Sequence, residues 1–160
     1  MRTTLRPLAF LALGALALSL AGCGGGRGEK KQINPPRASV QQLTALPNGQ
    51  WQLVLRLQNF SNRATKFENL DANLSFGGQD AGKVVVAPAI DIGPQAADTV
   101  EATITPALGA KLAVASALSA GQSIRYRIHG RIDTTQRDGD YPFEYESSLN
   151  PAPGLPGVMR

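Results

Sequence analysis

A chain of 160 residues with 42% hydrophobic and 18% charged content has room for one domain that buries a real core, and its bulk is too apolar to stay disordered. The formal charge of +4 includes Arg2 and Arg6, and without those two the chain carries 14 basic against 12 acidic residues. That balance is too even for nucleic acid to be the default partner.

In chain order, Arg2 and Arg6 give a basic start, and residues 8–20 follow as 13 residues without a charge, nearly all apolar. A spanning helix needs roughly 20 apolar residues, so residues 1–22 read as a removable signal peptide and not as an anchor. The end of that run, Leu20-Ala21-Gly22-Cys23, resembles a lipobox. The resemblance implies cleavage before Cys23, with small residues entering a narrow peptidase cleft and the Cys23 thiol accepting a diacylglyceryl group. Two or three acyl chains, at about 0.8 kcal/mol per buried CH₂, hold such a protein on a membrane without any further surface patch. Cys23 is the single cysteine, so once it is acylated no thiol is left for a disulfide, a nucleophile or a metal. Gly24 stands where an Asp would signal inner-membrane retention. This points to the periplasmic face of the outer membrane, with the inner membrane as the alternative.

Residues 23–37 read as the lipidated cysteine and a flexible tether, because Gly24-Gly25-Gly26-Arg27-Gly28-Glu29-Lys30-Lys31-Gln32 has almost no apolar content. About a dozen such residues let the domain stand on the order of 20 Å from the bilayer.

From residue 38 the rhythm becomes period two. Trp51, Leu53, Leu55 and Leu57 alternate with Gln52, Val54, Arg56 and Gln58, which puts four large apolar groups on one face of a strand. Asn48-Gly49 is a tight-turn dipeptide, so residues 39–46 and 51–58 form a hairpin. Further strands are expected over 67–76, 83–87 and 99–105, each bounded by turn residues. Residues 107–120 break the rhythm: Leu108, Leu112, Ala115 and Leu118 recur at helical spacing, and Gly121 is a stop signal.

After the helix, Ile124, Tyr126, Ile128, Gly130 and Ile132 alternate with Arg125, Arg127, His129, Arg131 and Asp133, predicting a strand with an apolar inner face and a basic outer one. A turn over 136–140 returns the chain through 141–149, with Phe143 and Tyr145 on one face and Glu144 and Glu146 on the other. Pairing Ile132 with Phe143 sets Arg131 against Glu144 and His129 against Glu146. Three prolines in the tail, 151–160, prevent it from continuing a ladder. It is expected as a frayed end, with docking on a partner or on its own sheet edge as the alternative.

Six or seven short strands with one helical crossover make the chain mainly β. The expected fold is an immunoglobulin-like or fibronectin III-like antiparallel β-sandwich with one short helix over residues 38–150; a small barrel is the competing architecture. Trp51-x-Leu53-x-Leu55-x-Leu57-Gln58-Asn59-Phe60-Ser61-Asn62, then Ile92-Gly93-Pro94, Ile124-x-Tyr126-x-Ile128-x-Gly130 and Pro142-Phe143 resemble the late-embryogenesis-abundant (LEA) type 2 family and its water stress and hypersensitive response (WHy) domain. The family's Asn-Pro-Asn turn is represented by Asn59 and Asn62, with Phe60-Ser61 between them. The resemblance implies a β-sandwich with a short helix, no enzymatic activity, no cofactor, and a role in stress protection or in binding partners in the envelope.

Candidate chemistry is sparse. His129 is the single histidine, so neither a multi-histidine metal site nor a Cys/His pair can be built, and it reads as a surface residue. Asp138-Gly139-Asp140 reads as a hairpin turn, since a calcium loop takes at least about six oxygen ligands. No metal site is expected. Arg125, Arg127 and Arg131 form a basic row that fits either an anionic ligand, glycan or partner, or a solvated face balanced by Glu144 and Glu146. The functional expectation is a non-enzymatic, membrane-anchored envelope lipoprotein that is stress-protective or protein-binding. The alternatives are an accessory subunit of an envelope assembly or transport complex, or a module for an anionic ligand or glycan.

Overall fold

The computed structural model describes residues 30–135 and 139–160. The expected signal peptide and lipobox, with Cys23, lie outside the described residues, as do Gln136, Arg137 and Asp138 of the expected turn.

The strands are β1 (Arg37–Ala45), β2 (Trp51–Gln58), β3 (Thr65–Phe76), β4 (Gln79–Val86), β5 (Ile90–Ile92), β6 (Ala97–Ile104), β7 (Ile124–Thr134), β8 (Asp140–Leu149) and β9 (Val158–Met159), with helix α1 (Leu108–Ala120) between β6 and β7. One sheet runs β6-β2-β1-β9; the other runs β4-β3-β7-β8 with β5 paired to β3, and every pairing is antiparallel. Two sheets face to face, with the chain changing sheets from β2 to β3, from β5 to β6, through α1 and from β8 to β9, make a β-sandwich and not a closed barrel.

Alternation decides which side chains meet between the sheets. Trp51, Leu53, Leu55 and Leu57 of β2 are buried, as are Phe67, Leu70, Leu74 and Phe76 of β3 and Ile124, Tyr126, Ile128 and Ile132 of β7. An aromatic row ties the layers together: Trp51 meets Phe76 edge-on at 5.3 Å, Phe76 lies 6.0 Å from Tyr126, and Tyr126 lies 6.4 Å from Tyr145. Tyr126 Oη donates to the Val40 carbonyl at 3.1 Å, across the sandwich.

Three features of register and packing differ from the sequence reading. The β7–β8 register is displaced by two residues: Ile132 pairs with Tyr141, Gly130 with Phe143, His129 with Glu144 and Arg127 with Glu146. A two-residue shift leaves every side chain on its expected face, so the hydrophobic pattern could not reveal it. The helix docks through Ala110, Val114 and Ala117, leaving Leu108 and Leu112 on the solvent side at 71% and 63% exposed. Its sequence is apolar almost all round, so periodicity did not choose the face. Close approach did: a Cβ added at Gly77 would stand 3.4 Å from Ala113 Cβ and 3.5 Å from Ile124 Cδ1, and small side chains fit that gap. Gly121 ends the helix in a left-handed conformation at φ 64, its N–H donating to Leu118 O while Gln122 N–H donates to Ala117 O, which is a Schellman motif.

The third difference is the tail. It leaves β8, turns through Pro151–Gly157 and returns as β9 on the edge of β1, pairing Leu43 with Met159 and Thr44 with Val158. Met159 is fully buried. The prolines occupy the turns, while Gly157 O accepts from Ala45 N at 2.9 Å beside β1 and the Val158 N–H closes the turn on Leu155 O at 3.2 Å. The frayed end is thereby replaced by a strand that shields part of an open edge.

Candidate functional site

The basic row is real as a geometry and is largely occupied by its own carboxylates. Arg125, Arg127, His129 and Arg131 are all exposed on the outer face of β7. Arg127 Nη2 lies 2.5 Å from Glu144 Oε1, and its Nε lies 3.5 Å from Glu146 Oε1. Arg131 makes a two-pronged pair with Asp140, Nε to Oδ1 at 2.6 Å with Nη2 bonded to Oδ2. That hydrogen bond holds the Asp140 carboxyl below its ordinary range and raises the Arg131 guanidinium. Asp140 is therefore engaged by an arginine. No group of three or more His, Cys, Asp or Glu side chains that could hold a metal is found among the described residues.

Arg125 lies toward one end of the row, facing Ser148 of β8 in register. With Ser75, Gly78, Arg127, Glu146 and Ser147 it borders an open groove of about 490 Å³. His129 lies mid-sheet between Asn73 and Glu144. The expected His129–Glu146 pairing is replaced by His129 opposite Glu144.

The Asn59–Asn62 turn holds a denser polar cluster. Asn59 is 2% exposed and Ser61 fully buried. Asn59 Nδ2 donates toward three carbonyls: Arg63 O at 2.6 Å, Gly93 O at 2.9 Å and Ile92 O at 3.1 Å. Its Oδ1 accepts from Ser61 N at 2.9 Å. Gln95, at φ 51, donates its N–H to Ser61 O at 3.0 Å. One amide thus closes its own turn and fastens the β5–β6 loop, satisfying main-chain groups that burial would otherwise leave unpaired.

Asn62 and Ser61 also bind the segment preceding β1. Gln32 N donates to Asn62 Oδ1 at 3.0 Å, and Asn62 N donates to Gln32 O at 3.2 Å. Asn34 N donates to Ser61 Oγ at 3.0 Å, Ser61 Oγ donates to Asn34 O at 3.2 Å, and Asn34 Nδ2 donates to Phe60 O at 2.8 Å. Residues 32–34, expected as tether, are clamped to the sandwich. Beside them the Arg37 guanidinium lies between the rings of Phe60 and Tyr145, 5.0 and 4.6 Å from their centroids. The sequence reading picked out Asn59 and Asn62 but missed Gln32, Asn34 and Ser61. Asn34 before Pro35-Pro36 was the available turn signal, whereas its partners some 27 residues away were not.

The fold has counterparts among solved structures. A solution structure from Arabidopsis thaliana is 13% identical with a TM-score of 0.55, over 74% of this chain and 82% of that one. A solution structure described as a candidate LEA protein is 13% identical with a TM-score of 0.48, over 92% of this chain and 81% of that one. A crystal structure of a protein from Archaeoglobus fulgidus is 10% identical with a TM-score of 0.44, over 76% and 98%. A scan against protein-family profiles finds no match, and a sequence comparison with curated proteins finds none. At such identities the likeness is one of fold. No helix among the described residues is long and apolar enough to cross a membrane.

Proposed function

We propose that this chain is a non-enzymatic lipoprotein of the LEA type 2 kind, anchored through Cys23 to the periplasmic face of the outer membrane, whose β-sandwich protects or binds envelope proteins under stress. The observation that carries the reading is Leu20-Ala21-Gly22-Cys23 placed only nine residues before Gln32, the first clamped residue of a sandwich. The likeness to the Arabidopsis structure is consistent with the fold that the LEA type 2 resemblance implies. In this reading the outer face of β7 and β8 serves solubility, with Arg127 and Arg131 paired to its own carboxylates, and protection is the work of an ordered surface.

The test has two arms. Cys23→Ala should release the protein from the membrane fraction, and mass spectrometry of the wild-type N-terminus should show the acyl adduct. A deletion strain should lose viability on drying and osmotic shock, and wild-type protein should restore it where Cys23→Ala does not. Unaltered survival would overturn the protective role, and firm membrane retention of Cys23→Ala would overturn the anchor.

The alternative of an accessory subunit in an envelope assembly draws support from Leu108 and Leu112, one helical turn apart and exposed together. A photocrosslinker at Leu112 that captured one dominant envelope protein in cells would favour it.

A further inference from the structure

The seam where β1 and β8 run side by side holds cations that no carboxylate answers. β8 is the edge of its sheet, and β9 pairs only with Leu43 and Thr44 of β1, so the first part of β1 is the edge of the other sheet. Along β8 the inward positions run Phe143, Tyr145, Ser147 and Leu149, and the small, exposed Ser147 leaves a gap between two large neighbours. β1 bulges at Gln41, which has no partner on β2. An open groove of about 520 Å³ results, bordered by Ser39, Gln41, Arg56, Ser147, Ser148 and Arg160, and of a size that suits a small ligand.

Lys83, Arg127 and Arg131 each meet an Asp or Glu; the arginines at the seam meet only neutral groups. Arg56 is exposed and has neither hydrogen bond nor ion pair among the described residues. Arg160 Nε donates to Gln42 Oε1 at 2.8 Å. Arg37, stacked on Tyr145, reaches Gln58 Oε1 at 3.5 Å. The acidic groups nearby are engaged elsewhere. Glu101, diagonal to Arg56 across the β2–β6 pairing, accepts from Gln52 Nε2 at 2.8 Å, and Asp98 accepts from the Thr99 N–H at 2.7 Å. Glu144 and Glu146 face Arg127 on the outer side of β8, and the Arg160 main-chain oxygen accepts from the Asn150 N–H at 2.5 Å.

We propose that this groove is a binding site for a small soluble ligand carrying two or more oxyanion groups, carboxylate or phosphate, held between Arg56 and Arg160. A guanidinium with unused N–H groups takes either oxyanion two bonds at a time. Two such cations on one groove favour a ligand with more than one charged group, and Arg37 behind Tyr145 adds a third positive charge to the field. The Ser39, Ser147 and Ser148 hydroxyls are further donors at the same groove. The site is separate from the arginine row of β7 and does not depend on the anchor at Cys23.

The experiment is isothermal titration calorimetry of the full chain in non-ionic detergent at about 0.15 M salt, where long-range attraction is screened, with citrate, pyrophosphate and acetate as probes. Citrate or pyrophosphate should bind saturably and one-to-one, with acetate weaker by about tenfold or more; the tighter of the first two assigns the carboxylate or the phosphate class. Arg56→Gln, which removes no contact to another side chain, should weaken binding several-fold, and Arg56→Gln with Arg160→Gln by about tenfold or more. Lys83→Gln with Arg131→Gln removes the same charge from paired cations and should leave binding unchanged. Unfolding followed by Trp51 fluorescence verifies that each variant is folded. Absence of saturable binding by both citrate and pyrophosphate overturns the proposal, as does equal loss in the Lys83/Arg131 variant or no loss in the Arg56/Arg160 variant. A polyglutamate peptide that bound where neither small anion did would overturn the small-ligand assignment in favour of an acidic protein segment.

Discussion

Gly130 is where a single methyl group should do the most damage. It lies mid-strand in β7, between Ala72 of β3 and Phe143 of β8, and an added Cβ would overlap the Asp71 carbonyl oxygen while standing 2.5 Å from Ala72 Cα and 2.9 Å from Ala72 Cβ. Two of these are backbone atoms of a central strand and the third is the Cβ fixed to it, which no rotamer change can move. Carbon atoms rest about 3.5–4.0 Å apart, so β3 and β7 would have to part by about 1 Å at this rung. Losing two ladder bonds at about 1 kcal/mol each, with about 1–3 kcal/mol for overpacking, gives a cost for Gly130→Ala of about 3–5 kcal/mol. For a domain of this size that is a fall in Tm on the order of 10 °C. Urea titration followed by Trp51 fluorescence measures it directly, because the chain has one tryptophan and it is 3% exposed. Gly93→Ala is the control, since its nearest new neighbour, Ala96 Cβ, lies at 3.9 Å; it should cost less than about 1 kcal/mol. A Gly130→Ala variant as stable as the Gly93→Ala variant would refute the close-approach reasoning.

Asn59→Asp should be worse than Asn59→Ala. Alanine leaves Ser61 N and three carbonyls without their partner, at about 2–4 kcal/mol by chemical denaturation, whereas a carboxylate would face the same three carbonyls with no donor at all; equal stability of the two variants would contradict the assigned bonds. Tyr126 is pushed up to about 12 by burial, so the unfolded chain ionises first. Stability is then full below pH about 10 and is lost as pH rises from there towards 12. Tyr126→Phe should lose about 1 kcal/mol at neutral pH and flatten that alkaline limb, as equilibrium unfolding across pH would show. Met159→Ala should cost about 2–4 kcal/mol and raise proteolysis of the tail, because a fully buried side chain on the β1 edge is removed; a tail no more sensitive to protease than wild type would show that β9 is not held by it.

Local chemistry made much of the sandwich legible. The alternation at Trp51–Leu57 and Ile124–Ile132 named the inner faces, Asn48-Gly49 named the first hairpin, and Gly121 named the helix end. Each of these signals acts over a few residues, where side-chain direction and turn dihedrals are set by the chain itself. The three-residue β5 was too short for any alternation to announce, and β4 starts at Gln79, four residues before the expected 83, because its exposed, glycine-containing beginning carries no pattern.

For the candidate site the division is the same. Asn59, Asn62 and the arginine row were visible because polar residues at a turn or on one strand face declare themselves. The partners were not visible, since Gln32, Ile92 and Gly93 reach the β2–β3 turn only after two sheets have formed.

What the sequence alone determined is the short-range grammar: strand faces, turns, the helix end and the kind of fold they add up to. Tertiary structure decided the two-residue register of β7 on β8, the small-residue face of α1, the return of Met159 to β1 and the clamp on Gln32. Those choices rest on contacts between segments far apart in the chain, where competing arrangements share one hydrophobic pattern and only packing and hydrogen-bond geometry tell them apart.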